Sequence, residues 1–267
     1  MCRMLGIVAS EPTDFKVCLK EAPRSLATLS RDHPHGWGLA VHAKRDGWTV
    51  EKRAACAHED SRFYDVAARR GDLLVAHVRK RTVGPIRVEN THPFHRGRWV
   101  FAHNGTIDEL DWMRRDVSAH RRAQIAGDTD SEVFFACLLS RLDDAGSEDR
   151  LSPEAATTVV ASFVSELRSR PTLGACNFLL ANDDGIYAYR QGRTLYSLER
   201  GPNDAVRVRL DSQETGATIE TPWTARRTAV LIASEKMTDE PWRAVEERTL
   251  LHVARSPVPS LRVVVAP

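Results

Sequence analysis

The sequence predicts an α+β protein with about ten or more strands and two long central helices. Short apolar or alternating runs recur along the chain, each bounded by turn residues. Two segments near the middle instead carry apolar residues at helical spacing. The 267 residues contain no internal repeat and no linker-like stretch. We therefore expect residues 1–267 to form a single domain.

The first half of the chain is predicted to be mostly strands. Phe15 to Arg31 has rough helical spacing that Pro23 interrupts, and residues 59–70 can form an amphipathic helix. The sequence His103-Asn104-Gly105-Thr106 is predicted to be a turn, because Asn and Gly both tolerate positive φ. The strands predicted in this half are residues 4–9, 39–43, 47–52, 73–78 and 98–102.

The second half contains the two long helices. Thr129 and Glu132 have the spacing of a capping box, so one helix should begin at about Asp130. Ser152 followed by Pro153 marks the start of the other. Together they suggest one helical layer covering a sheet. The remaining predictions are strands at residues 176–181, 186–190, 229–234, 249–253 and 261–265, a hairpin turn at 182–185, a half-exposed strand through Val206, Val208 and Leu210, and a surface loop from Asp211 to Ala225.

Composition excludes several functional classes. The net charge of +2, from 38 basic and 36 acidic residues, gives no electrostatic reason to expect nucleic acid or an anionic membrane as a partner. No apolar run is long enough for a transmembrane helix, and the N-terminus lacks the pattern of a signal peptide. The five cysteines are widely spaced and include no C-x-x-C pair, which favours reduced thiols in the cytoplasm.

Cys2 is the residue with the clearest chemical potential. Removal of Met1 would leave a thiol and a free α-amine on the same residue. An α-amine titrates at roughly 7.7–8.0, so it can serve as the base that activates the thiol near neutral pH. The apolar run that follows is predicted to be a buried strand that holds this nucleophile at its end.

Several short motifs occur together with Cys2 and resemble one known family. The motifs are Met1-Cys2-Arg3-Met4-Leu5-Gly6, Gly36-Trp37-Gly38, His77-Val78-Arg79, Thr91-His92-Pro93-Phe94, His103-Asn104-Gly105, Asp128-Thr129-Asp130-Ser131-Glu132 and Ala233-Ser234-Glu235. With these motifs the chain resembles the class II glutamine amidotransferases, which are N-terminal nucleophile hydrolases, and within them the stand-alone YafJ-type group. The resemblance extends from Cys2 to about Glu240.

The resemblance implies a fold and a role for each of the candidate site residues. The fold would be a four-layer αββα sandwich. Cys2 would attack a γ-glutamyl amide, and the Asn104 side chain and Gly105 backbone would hold the oxyanion. Arg79 would bind the substrate α-carboxylate and Asp130 its α-ammonium.

The chain also departs from the family. Many members carry His-Thr-Arg-Trp-Ala-Thr, and residues 77–82 here keep the Arg and the final Thr but not the aromatic residue. Thr82 is therefore a further substrate-binding candidate. The shape of the glutamine pocket is expected to differ from theirs.

The expected reaction is hydrolysis of glutamine or a γ-glutamyl conjugate through a thioester, with release of ammonia or an amine. One alternative is an ammonia-donating subunit that works with a separate synthase. Another is a non-catalytic amino-acid-binding protein, although such a sensor needs no oxyanion hole. No cofactor is expected, and no metal, because the ten histidines are dispersed without the spacing of ligands.

Overall fold

Fifteen strands form within the residues that this computed structural model describes, which are 2–146, 151–201, 209–211, 218–220 and 227–267. They are β1 (Arg3–Asp14), β2 (Trp37–Ala43), β3 (Gly47–Arg53), β4 (Arg70–Val78), β5 (Phe94–Arg96), β6 (Trp99–Ile107), β7 (Gly174–Asn182), β8 (Gly185–Tyr189), β9 (Tyr196–Arg200), β10 (Arg209–Asp211), β11 (Thr218–Glu220), β12 (Ala229–Ala233), β13 (Arg243–Ala244), β14 (Leu250–Ala254) and β15 (Ser260–Val265).

Six α-helices accompany the strands in the described part of the chain. They are α1 (Leu26–Leu29), α2 (Ser61–Ala67), α3 (Leu110–Asp116), α4 (Ala119–Arg122), α5 (Asp130–Ala145) and α6 (Pro153–Arg168). Short π- and 3₁₀-helical segments cover Val17–Glu21, Ser30–Asp32, Ala57–Glu59 and Val88–Asn90. None of these helices is long and apolar enough to cross a bilayer.

Two large antiparallel sheets form the centre of the fold. The first has the strand order β13-β9-β12-β1-β4-β2-β3, and the second has the order β15-β14-β8-β7-β6-β5. Their facing surfaces bury one apolar cluster, which includes Met4 and Val75 of the first sheet and Ala102 and Leu179 of the second. Because successive side chains of a strand point to opposite faces, each sheet also buries a second apolar face on its outer side.

Helices cover both outer faces. The first sheet packs its outer face against α1, α2 and the segment Val17–Glu21. The second packs against α3, α5 and α6. The four layers are therefore helix, sheet, sheet and helix. The predicted α+β sandwich is confirmed. The sequence predicted only the helical layer that contains the two long helices, and the shorter helices form a second layer on the first sheet.

Both long helices begin where the sequence predicts. The Thr129 hydroxyl accepts a hydrogen bond from the Glu132 amide at 3.3 Å, and Ser152 caps α6 in the same way. The reciprocal half of the capping box is replaced, because the Glu132 carboxylate accepts from the amides of Ala126 at 3.1 Å and Gly127 at 2.6 Å. Glu132 therefore fixes the chain that leads into α5.

The turn predicted at residues 103–106 was wrong. β6 continues through these residues to Ile107, and Asn104 and Gly105 pair with Asn177 and Cys176 of β7. A Cβ atom at Gly105 would lie 1.8 Å from the Ala175 carbonyl oxygen. Glycine is required there because the neighbouring strand approaches closely, and not because the chain turns.

Other predicted boundaries moved. The helix expected over residues 59–70 is confined to α2, where Asp60 accepts a hydrogen bond from the Arg62 amide. The region from Phe15 to Arg31 divides into Val17–Glu21, α1 and the start of Ser30–Asp32. The expected loop from Asp211 to Ala225 contains β11, which pairs with β10, while Val206 and Val208 lie outside the described residues.

Candidate active site

Cys2 lies immediately before β1, which is hydrogen-bonded on both sides, to β4 and to β12. The Cys2 Sγ atom is 3.3 Å from the Lys80 amide nitrogen, which donates to it, and 3.4 Å from the Lys80 carbonyl oxygen. Burial raises the pKa of the thiol above its ordinary value, although the hydrogen bond from Lys80 acts in the opposite direction. The thiol is therefore protonated near pH 7 and needs a base to become a nucleophile.

Asn104 connects the second sheet to Cys2. Its Nδ2 atom donates to the Cys2 carbonyl oxygen at 3.1 Å. Its Oδ1 atom lies 3.2 Å from Nε2 of His77. The side chain is held at both ends, so its amide group has one orientation. An amide nitrogen carries two hydrogens, and the contact with Cys2 uses one of them.

His77 contacts the site through Asn104. It occurs in the motif His77-Val78-Arg79 but is not one of the predicted site residues. It is completely buried on β4, and burial lowers its pKa to about 3, so the ring is neutral near pH 7. Since the Asn104 oxygen can only accept, His77 donates through Nε2–H. The ring also packs against His92, with centroids 4.5 Å apart.

A pocket surrounds the Cys2 thiol. Four of the six predicted site residues, namely Cys2, Thr82, Asn104 and Gly105, are on its wall. The remaining lining residues are Arg3, Thr106, Arg193, Thr194 and Ser234.

Two contacts fix part of this wall. The Arg3 guanidinium pairs with Glu235 at 2.5 Å, and the Thr194 hydroxyl donates to the Ser234 carbonyl at 2.9 Å. Sequence reasoning missed Arg193 and Thr194, which lie in a connection that carries no motif.

Arg79 lies beside the pocket but does not line it. Its side chain is buried, and it donates to the carbonyl oxygens of Pro85 at 3.0 Å and Val83 at 2.7 Å. These bonds fold the loop after β4 around the guanidinium. Two of its five N–H donors are used in this way, so others are available for a carboxylate.

Asp130 is the first residue of α5 and is also buried. Its Oδ2 atom accepts a hydrogen bond from the Ile107 amide at 2.8 Å. The contact ties the start of the helix to the end of β6, next to Thr106 on the pocket wall. Asp130 is therefore bonded to the residue that follows Thr106 but is not itself a lining residue of the pocket.

The described residues contain no cluster of three or more His, Cys, Asp or Glu side chains that could hold a metal ion. The chemistry available at the pocket is that of a thiol, neutral hydrogen-bond donors and guanidinium groups. Such a set is suited to acyl transfer, in which a nucleophile attacks a carbonyl and donors stabilise the oxyanion.

Comparison with known proteins identifies the family. The model for class-II glutamine amidotransferases matches residues 1–261. YafJ of Escherichia coli K12, whose name places it among the glutamine amidotransferases, is 28% identical over 262 residues, covering 92% of this chain and 94% of that protein. The gamma-glutamyl-hercynylcysteine sulfoxide hydrolase of Mycobacterium tuberculosis (strain CDC 1551) is 30% identical over 215 residues, covering 75% and 81%.

A solved structure agrees on the fold. The crystal structure of a predicted glutamine amidotransferase from Pseudomonas aeruginosa PA01 superposes with a TM-score of 0.67 at 23% identity, covering 98% of this chain and 99% of that one. The four layers are those of the N-terminal nucleophile hydrolases. The family match spans nearly the whole sequence and the fold agrees with it, so this chain belongs to the class-II glutamine amidotransferases and is an enzyme of the amidohydrolase type.

Proposed function

We propose that this enzyme hydrolyses a γ-glutamyl amide, either glutamine or a γ-glutamyl conjugate, with Cys2 as the nucleophile. The observation that supports it is the contact between Asn104 Nδ2 and the Cys2 carbonyl at 3.1 Å, in the pocket that holds the thiol. It brings a side-chain donor from the second sheet to a nucleophile on the first. The hydrolase from Mycobacterium tuberculosis, by its name, acts on a γ-glutamyl conjugate.

The proposed reaction starts with removal of Met1, which converts the Cys2 nitrogen from an amide to an amine. The amine takes the thiol proton, and Sγ attacks the γ-carbonyl carbon. The second Nδ2 hydrogen of Asn104 and the Gly105 amide stabilise the oxyanion. The carbon–nitrogen bond then breaks, and the leaving nitrogen receives the proton. Water hydrolyses the thioester, which releases glutamate and restores the thiol.

In this proposal two buried charges hold the glutamyl part of the substrate. Arg79 binds its α-carboxylate with the donors that Val83 and Pro85 leave available, and Asp130 binds its α-ammonium. Thr82 contributes to the pocket wall near the reacting carbonyl. A clamp on both ends of the amino acid delivers the γ-amide to sulfur.

Steady-state assays of glutamate and ammonia release test the nucleophile. Cys2→Ala should abolish turnover while calorimetry still detects glutamine binding. Cys56→Ala is the matched control, because Cys56 is half-buried and lies outside the pocket; it should keep wild-type turnover. Comparable turnover in Cys2→Ala would rule out the mechanism.

Asn104→Ala tests the oxyanion donor. Removing one such donor typically lowers kcat by about 10²–10³, with little change in ground-state affinity. A loss of glutamine affinity as large as the loss of turnover would instead make Asn104 a binding group, and would favour an amino-acid-binding protein.

A further inference from the structure

Arg193 is a basic side chain at the Cys2 pocket to which the proposed reaction gives no role. It lies in the connection between β8 and β9, lines the pocket and is exposed to solvent. Its guanidinium forms no hydrogen bond or ion pair with any residue that the structure describes. The pocket therefore presents a cation that no residue in the described ranges neutralises.

The backbone that carries Arg193 is fixed to the strand pair that carries Asn104. The buried Asn177 side chain donates through Nδ2 to the carbonyl oxygens of Arg193 and Thr194, each at 3.1 Å. Asn177 is the cross-strand partner of Asn104. Directly paired residues present their side chains on the same face of a sheet, so Asn177 links the position of Arg193 to that of Asn104.

Nearby acids are already paired with other groups. Glu235 pairs with Arg3, the other guanidinium on the pocket wall. Glu247 pairs with Arg190 at 3.4 Å and accepts from the Gly192 amide at 2.6 Å. Among the described residues, Arg193 therefore has no acidic partner, although it lines the same pocket as Cys2. A guanidinium matches a carboxylate with two parallel hydrogen bonds.

We propose that Arg193 binds a carboxylate on the leaving group, so that the preferred substrates are γ-glutamyl amides of amino acids rather than glutamine. This inference rests on the proposed function, in which Arg79 takes the glutamyl α-carboxylate and a second guanidinium implies a second carboxylate. Ammonia, the leaving group of glutamine, carries no group for Arg193 to bind. With a γ-glutamyl amino acid, sulfur attacks the γ-carbonyl, the amide bond breaks, and the amino acid departs with the proton on its nitrogen.

The test compares γ-glutamylalanine with γ-glutamylalaninamide. They differ only in the alanine carboxyl group, which is a free carboxylate in the first and an amide in the second. Glutamate release measures both, and glutamine is assayed in parallel. The variants are Arg193→Met, Arg193→Lys and the control Arg243→Met, an exposed arginine outside the pocket. Intact mass confirms that each protein begins at Cys2, and thermal unfolding confirms that each is folded.

We expect wild-type kcat/KM to favour the acid over the amide by about fivefold or more, since a partly exposed ion pair contributes modestly. The ratio should approach 1 in Arg193→Met, recover in part in Arg193→Lys and stay at the wild-type value in Arg243→Met. It should also decrease at high salt, because added ions screen the contact.

Three results would overturn the inference. A wild-type ratio near 1 alongside glutamine turnover would remove the carboxylate subsite and leave the proposed function standing. An equal loss of kcat/KM on all three substrates in Arg193→Met would also remove the carboxylate subsite. It would assign Arg193 to the glutamyl α-carboxylate, which all three substrates share. No turnover of any of the three by wild-type protein would contradict the proposed function and this inference with it.

Discussion

The Nε2 atom of His77 lies 3.2 Å from the Oδ1 atom of Asn104, and the other end of that amide contacts the Cys2 carbonyl at 3.1 Å. A buried, neutral imidazole thereby sets the direction in which the Asn104 donor points. His77 does not itself line the pocket; it contacts the pocket wall through Asn104. Its expected role is to position the proposed oxyanion donor.

We predict that His77→Leu lowers kcat about tenfold or more with little change in KM. It leaves the buried Asn104 oxygen without its donor, and an unsatisfied buried group costs about 1–3 kcal/mol. His77→Gln should restore much of kcat, because its side chain offers an N–H of similar reach. Steady-state kinetics of glutamate release measures both variants.

A double-mutant cycle separates positioning from general stability. In an Asn104→Ala background, His77→Leu should produce little further loss of kcat, because the group it positions is already absent. Losses that multiply in the double variant would show that His77 acts independently of Asn104.

Gly105→Ala should destabilise the fold by about 1–3 kcal/mol, as overpacking of a closely packed site does. Its Cβ would lie 1.8 Å from the Ala175 carbonyl oxygen, so β6 and β7 would have to separate. Gly201→Ala is the control, because its Cβ would meet no atom of the described part of the chain within 4 Å. Chemical denaturation compares the two, and equal free energies of unfolding would disprove the steric explanation.

These residues show what could be predicted from sequence. Strand and helix periodicity gave the α+β class and the starts of α5 and α6, because those signals are local. Asn104-Gly105 was read as a turn because the pair is locally compatible with one; only the approach of β7 explains the glycine. His77 was not predicted as a site residue, because its contact with Asn104 forms only when the folded chain brings β4 close to β6.

The same reason explains why the pocket could be predicted only in part. Cys2, Thr82, Asn104 and Gly105 line it, and all four belong to motifs. Arg193 belongs to none, and its backbone is held by the hydrogen bond that the Asn177 side chain of β7 donates to the Arg193 carbonyl oxygen. Non-local hydrogen bonds of this kind leave no periodic signal in the sequence.

The proposed amine base predicts how activity depends on pH. Burial raises the pKa of the Cys2 thiol, so the thiol does not ionise by itself near pH 7. The free amine must be unprotonated to accept the thiol proton. We therefore expect kcat/KM to fall as pH decreases below the titration of the amine, ordinarily at roughly 7.7–8.0, and to level off above it.

The matching control is protein that retains Met1, in which the Cys2 nitrogen is an amide and cannot accept a proton. Intact-mass spectrometry of each preparation should relate activity to the fraction that begins at Cys2. Full activity in a preparation where every molecule keeps Met1 would exclude the amine as the base.

Asp130 provides the test of the substrate clamp, because its carboxylate also accepts the Ile107 amide at 2.8 Å. Asp130→Asn keeps an oxygen for that hydrogen bond and removes the charge, whereas Asp130→Ala removes both. If Asp130 binds the α-ammonium, Asp130→Asn should raise KM for glutamine about tenfold while leaving the free energy of unfolding close to wild type. Asp130→Ala should raise KM and also destabilise the fold by about 1–3 kcal/mol, because the buried amide loses its acceptor.

Glutaramate, which lacks the α-ammonium, is the matched substrate for Asp130. The wild-type preference in kcat/KM for glutamine over glutaramate should diminish in Asp130→Asn. A wild-type KM and an undiminished preference in that variant would mean that Asp130 holds β6 to α5 and does not contact the substrate.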